Sequence, residues 1–409
     1  MIGIGGSTAA EELAKISPWT TGITPIQKEE FAERLKKATA LLKQSGAAAM
    51  YLHAGTNLYY FTGMHWHPSE RMVGALLFAD GQLEYIAPSF EKGTLLDFMV
   101  LEGTVHCWEE HESPYQLFIQ LLGQHNSVSG TVLLDETTPF FVSNGLQLEG
   151  AAYTFKDAKP VTAGCRMYKS DNELAIIQRA MDITLAVQQA AARILRIGIS
   201  TAEVVAFIDA AHKKYGIPSG SYFCIVLFGK DSSFPHGVKS PKTLEENEVV
   251  LIDTGCQLHD YISDITRTYV FGTPNEAQRR IWQIEKQTQQ AAFDAAQLGA
   301  PCSNIDKAAR SVLEAHQLGP EYQLPGLPHR TGHGIGLDIH EWPYIVRNDQ
   351  TPLAAGMCFS NEPMICVPNE FGIRHEDHIY MTETGPKWFT EPMYSIENPF
   401  GILENEKAQ

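Results

Sequence analysis

The chain has 409 residues, long for a single core and suited to two domains. Its 44% hydrophobic and 19% charged residues are the balance of a globular protein and exclude a disordered chain. A formal net charge of −17 argues against nucleic acid or an anionic membrane surface as partner, since both are met by basic patches.

In chain order, the opening residues are small and polar and suggest a loose arm or a lone amphipathic turn. From Ile26 to about Gln44 apolar residues recur at helical spacing behind an early acidic turn, and Gly46 ends the run. AAAMYLHAG and NLYYFTG are expected as short apolar strands, and VGALLFADGQLEYIAPS as a hairpin turning on Asp80 and Gly81. Pro114 to Leu122 is expected as a helix, and TVLLDE after Gly130 as a strand. Strand and helix alternate, which predicts a small α/β domain. The pattern weakens between about Phe155 and Lys169, so the boundary is expected near residue 163, giving domains 1–163 and 164–409.

Beyond it, Asp171 to Arg196 reads as one long helix with Asp or Asn to cap it and Gly198 to end it. Thr201 opens a second, capped as T-A-E-V, and Asn275–Leu298 and Ser303–His316 are two more. They interleave with strand-rich stretches at 221–228, 248–271 and 356–382, an α+β arrangement of antiparallel sheet covered by helices. No apolar run approaches the roughly 18 residues of a membrane span, and no signal peptide is evident at the start. Cys107, Cys165, Cys224, Cys256, Cys302, Cys358 and Cys366 form no C-x-x-C pair and read as reduced thiols. The cytoplasm is the expected compartment.

The chemistry concentrates in five short motifs of the second domain: LIDTG, SDITRT, GHGIG, SNEPM and RHEDH. They carry Asp253, Asp264, His333, Glu362 and Glu376. Four carboxylates and an imidazole exceed what one tetrahedral Zn²⁺ takes, and suit a pair of divalent ions of Mn²⁺ character, with Co²⁺ or Zn²⁺ as alternatives. Folded about Leu258 and His259, the hairpin EVVLIDTGCQLHDYISDITRTYVF would place Asp253 opposite Asp264. A turn centred near Asn369 would oppose Glu362 and Glu376. Two carboxylates that close repel unless a cation or a shared proton joins them.

In order and context, these motifs resemble the pita-bread metallopeptidases over about residues 164–400. NLYYFTG and RMYKSDNELAIIQRA resemble the proline-specific branch, the Xaa-Pro dipeptidases (prolidases) and Xaa-Pro aminopeptidases. The resemblance implies a pita-bread catalytic domain behind a smaller creatinase-like α/β domain. It implies a dinuclear site on Asp253, Asp264, His333, Glu362 and Glu376, with Asp264 and Glu376 bridging. It also implies roles for His236, near the substrate, and His340, on the scissile carbonyl and its oxyanion. His329 and Arg374 match residues around the proline pocket. The implied mechanism attacks the Xaa-Pro carbonyl with a metal-bridging hydroxide, Glu362 accepting and returning the proton.

One departure stands out. The resembling enzymes commonly have tyrosine four residues after the glutamate of SNEPM, where this chain has Cys366. No base is motif-paired with that thiol, which argues against a nucleophilic role. The loop GMHWHPSERM carries Trp66 and Arg71. Because the resemblance implies a homodimer whose first-domain loops approach the partner's active site, these two are candidate caps on the substrate cleft. The leading expectation is a dipeptidase acting on small peptides with proline second, and the runner-up an aminopeptidase acting on longer ones. A methionine aminopeptidase would not normally carry the first domain, and a creatine-amidinohydrolase-like relative lacks the metals. A catalytically inactive peptide-binding protein is the remote alternative.

Overall fold

The structure is a computed structural model and describes residues 2–125 and 130–402. Two compact units emerge: Ile26–Arg166, and Met1–Pro25 together with Met167–Gln409. The boundary therefore falls after Arg166 rather than near residue 163, and the first 25 residues join the second unit. The reason is a short helix, α1 (Ala9–Lys15), closed at its start by a reciprocal Thr8–Glu11 capping box. Its buried Glu12 accepts from Arg193 at 2.7 Å, and Gly5 N–H donates to Ala192 O at 2.9 Å.

The first unit runs α2 (Lys28–Ser45), β1 (Ala49–His53), α3 (Thr56–Thr62), β2 (Gly74–Phe78), β3 (Leu83–Pro88), α4 (Lys92–Phe98) and β4 (Thr104–Trp108). It continues with α5 (Pro114–Gln124), β5 (Gly130–Leu134), α6 (Phe140–Glu149), β6 (Tyr153–Asp157) and α7 (Lys159–Arg166). The sheet order is β4-β3-β2-β1-β5-β6, parallel at β3/β4, β1/β5 and β5/β6 and antiparallel between. Tyr51, Phe78, Ile86, Phe118, Leu121 and Leu146 are among its core. NLYYFT, expected as a strand, is α3 instead. Leu58, Tyr60, Phe61 and Thr62 are all buried, so the helix shows no polar face from which a 3.6-residue period could be read. Gly63, at φ +75°, supplies the left-handed residue that ends it.

The second unit runs α8 (Asp171–Arg193), α9 (Thr201–Lys214), β7 (Ser221–Phe228), β8 (Glu248–Leu258), β9 (Tyr261–Ile262), β10 (Ile265–Phe271), α10 (Glu276–Ala295) and α11 (Cys302–Ala315). Then follow β11 (Gly332–Gly334), β12 (Glu341–Ile345), β13 (Cys358–Asn361), β14 (Met364–Val367), β15 (Phe371–Arg374), β16 (Asp377–Thr382) and β17 (Gly385–Trp388). The N-caps of α8 and α9 are Ser170 and Ser200, each one residue before the expected start and each in a capping box with a glutamate. Strands order as β10-β8-β7 with β9 on β8, as β12-β11-β13-β16-β17, and as the pair β14-β15, antiparallel throughout.

This is the expected α+β layering. Buried Gln188 on α8 donates to Ile252 O and Ile265 O, both at 2.9 Å, fixing β8 against β10 where the candidate ligands emerge. Among the described residues no helix is long and apolar enough to cross a membrane.

Candidate metal centre

Asp253 projects from the middle of β8, but its partner on β10 is Thr266, not Asp264. The hairpin turns on His259 and Asp260, at φ +45° and +71°, with Leu258 facing Tyr261. A two-residue loop with both φ values positive matches the twist of the strands, and it moves the expected register by two residues. Asp264 sits in the gap between β9 and β10, close enough to Asp253 for the two charges to act on each other.

The second hairpin keeps the expected register. Asn361 faces Asp377 and Met364 faces Arg374, so Glu362 and Glu376 lie between two pairs of one alignment. Asn369, at φ +65°, makes the turn. His333 is the middle residue of β11, with close-approach glycines on both sides. A Cβ at Gly332 would lie 1.9 Å from Ser360 O, and one at Gly334 2.3 Å from Trp342 O.

These elements bring the candidate ligands together. Ligand atoms of His333, Glu362 and Glu376 lie within 4.8 Å of one another, as do those of Asp264, Glu376 and His378, so Glu376 belongs to both groups. His333 gives its Nδ1 proton to Gly334 O at 3.0 Å, which turns Nε2 toward Glu362 Oε1 at 3.1 Å and Asp264 Oδ2 at 3.8 Å. Ser360 ties the same pair: its Oγ accepts His333 N–H at 2.9 Å and donates to Glu362 Oε1 at 3.1 Å. Asp253 is in neither group; its Oδ2 accepts from Arg374.

His378 was not anticipated. It lies on β16, two residues after Glu376, which immediately precedes that strand, and the two-residue spacing in RHEDH was the available signal. The SDITRT residues beyond Asp264 also proved to be supports. Thr266 donates to Glu376 Oε2 at 2.5 Å, Thr268 to Arg374 O at 2.6 Å, and buried Arg267 to Glu376 O at 2.8 Å and Asp377 Oδ1 at 2.6 Å.

The electrostatics fit a cation. Asp253 Oδ1, Asp264 Oδ1, Glu376 Oε1 and both ring nitrogens of His378 are buried without a hydrogen-bond partner among the described residues. Each such orphan costs about 1–3 kcal/mol, a cost that divalent ions at this point would remove. Burial first, then neighbouring carboxylates, pushes Asp264 and Glu376 well above the usual range. Burial likewise raises Asp253, with Arg374 opposing. Burial would raise Glu362 too, but His333 outweighs it and holds that carboxyl low. Burial lowers His378 to about 3, keeping it neutral and able to act as a ligand.

Around this centre, the ring of His340 packs on His333 with centroids 4.2 Å apart. Its outer edge is exposed, and burial of the rest, with His333 beside it, lowers it to about 4. His329 Nδ1 bonds Arg330 O at 2.7 Å, leaving a buried Nε2 without a partner. His236 is exposed and close enough to act on the charge of both His329 and His340.

Arg374 is buried and committed to Asp253, Thr266 Oγ1 at 3.0 Å and Pro235 O at 3.2 Å, so its guanidinium is bound within the ligand cluster. Cys366 is buried on β14, its thiol raised to about 12 by burial, which removes it as a nucleophile. Trp66 and Arg71 belong to the other unit. There Trp66 meets Phe98 edge-on at 6.0 Å, and Arg71 pairs with Glu70 and Glu110 at 2.5 and 3.0 Å.

Glu376 is a carboxylate shared by two groups that could hold a metal ion, and the chain belongs to metallopeptidase family M24, whose profile matches residues 175–383. Residues 34–168 match the creatinase/prolidase N-terminal domain, so the two units together have the pita-bread prolidase architecture. The provisionally assigned dipeptidase YkvY of Bacillus subtilis (strain 168) is 32% identical, over 88% of this chain and 97% of its own length. Dipeptidase PepE from Mycobacterium ulcerans superposes with a TM-score of 0.84 at 31% identity, covering 91% of this chain and 99% of that one. Prolidase from Thermococcus sibiricus gives 0.79 at 29% identity, covering 88% and 97%. The chain is accordingly a peptidase with a metal-binding site.

Proposed function

We propose that the chain is an Xaa-Pro dipeptidase working with two divalent ions, Mn²⁺ being the best chemical match to an oxygen-rich set. The observation that carries the reading is Glu376, a buried carboxylate common to two ligand groups and left with an unpartnered oxygen. Asp253, Asp264, His333, Glu362 and Glu376 would hold the ions, with His378 beside them. Bound there, the ions would supply an acidified water and polarise the scissile carbonyl.

The chain's own groups do the rest. His340, neutral at physiological pH, donates to the carbonyl oxygen as charge develops on it. Glu362 is less deeply buried than the other three carboxylates and takes the proton from the attacking water. It returns that proton to the proline nitrogen, which needs it to leave. His329 Nε2 and His236 line the proline side. The names of two similar solved proteins, a dipeptidase and a prolidase, favour a dipeptide substrate over a longer one.

A homodimer in which the loop bearing Trp66 and Arg71 covers the partner's cleft is part of the same reading. Phe90 and Phe98, exposed beside those residues, give the loop apolar surface to bury. The experiment is hydrolysis of Gly-Pro, Ala-Pro and Ala-Pro-Ala by metal-free protein reloaded with Mn²⁺. Cleavage of the dipeptides alone is expected. Tripeptide cleavage at a comparable rate would make the chain an aminopeptidase, and failure on all three with two ions bound would make it a binding protein.

A further inference from the structure

We propose that Arg330 receives the free carboxylate of the dipeptide and so restricts the cleft to substrates that end at proline. The inference rests on the dipeptidase reading above. Arg330 lies three residues before His333, where the chain enters β11. Across the β11–β12 ladder Tyr344 stands directly opposite His333, and opposed residues share a face of the sheet. The guanidinium carbon of Arg330 lies 4.4 Å from the centre of the Tyr344 ring, stacked over it. The arginine is also near enough to His340 to act on its charge. It is thus held at the side of the candidate centre where His340 and His333 meet.

Arg330 is half-exposed and, among the described residues, has no carboxylate partner. Arg374, which the resemblance puts around the proline pocket, is spent on Asp253. The carboxylate of a dipeptide lies within one residue of the scissile bond, a spacing of about 3.8 Å between Cα atoms. A planar guanidinium held flat by an aromatic ring presents two parallel donors to a carboxylate, a geometry lysine cannot copy. A longer peptide would bring a neutral amide to the same donors and lose the charge-assisted pair.

The test compares Ala-Pro with its C-terminal amide on wild type, Arg330→Met and Arg330→Lys, by turnover and by calorimetric binding. Wild type should favour the free acid in KM by about 10- to 100-fold, the range of a hydrogen-bonded charge pair. Arg330→Met should remove that preference by raising KM for the free acid to the level of the amide, and Arg330→Lys should restore part of it. An undiminished preference in Arg330→Met, or none in wild type, overturns the proposal even if Xaa-Pro bonds are cleaved. Arg330-dependent binding of Ala-Pro without any cleavage would sustain the proposal and overturn the peptidase reading instead. Absence of both binding and cleavage overturns both.

Discussion

Arg374 and Asp253 form a buried ion pair between β15 and β8, and the arginine's other donors reach Thr266 and Pro235 on two further segments. One side chain thereby holds the strands that carry the candidate ligands. Removing a single partner of such a pair strands a buried charge, a loss of about 3–5 kcal/mol. In metal-free protein Arg374→Met should therefore lower stability by that order, measured by urea unfolding. Arg374→Met with Asp253→Asn should cost clearly less than the sum of the two single changes. Additive losses would mean that the pair does not act as a unit.

His378 is the candidate ligand that the motif reading missed. His378→Gln should retain at least 10-fold less metal than wild type after dialysis against equal free Mn²⁺, by elemental analysis. Unchanged occupancy would place this imidazole outside the centre.

Ser360 binds His333 through its backbone N–H and Glu362 through the carboxylate, so Ser360→Ala should loosen two candidate ligands together. The expected loss is about 10- to 100-fold in metal affinity or turnover. A variant with wild-type values for both would show the hydroxyl to be dispensable.

Metal removal should abolish peptide hydrolysis and lower the melting temperature. Readdition should raise it in a concentration-dependent way, each ion stabilising the fold by about 2.7 kcal/mol at a hundredfold excess over its Kd. Melting curves over a Mn²⁺ titration check this, and an unchanged Tm would argue that the carboxylate cluster binds no ion.

His212 on α9 is fully buried, 3.3 Å from Thr184 Oγ1 and 2.9 Å from Ser221 Oγ, and burial lowers it to about 4. The unfolded chain takes up its proton near pH 6.5. Between about pH 6.5 and 4 the unfolded state therefore binds more protons, and stability falls as pH falls through that window. The contribution is fully present above pH 6.5 and amounts to about 3 kcal/mol. His212→Gln should flatten that part of the stability–pH curve in urea titrations, and an unchanged slope would assign it to other groups.

Much of the site could be read along the chain because its parts are local. The turn at Asn369 placed Glu362 and Glu376 correctly, since a hairpin register follows from its turn and from the alternation of its strands. The first hairpin was misjudged by two residues because His259 and Asp260, neither of them glycine, both adopt positive φ. The helix at 56–62 was taken for a strand because burial on nearly every side leaves no polar face to reveal its period.

What the sequence determined by itself was the set of candidate ligand types, their order and the α+β layering, because motif spacing and hydrophobic period are properties of neighbouring residues. Only the tertiary structure decided which charges meet. Arg374 is committed to Asp253 across 121 positions of sequence, His378 joins a candidate ligand group, and Arg330, over Tyr344, has no carboxylate partner among the described residues. Long-range partners follow from how the sheets pack, and Coulomb energies at contact distance depend on that packing far more than on sequence separation.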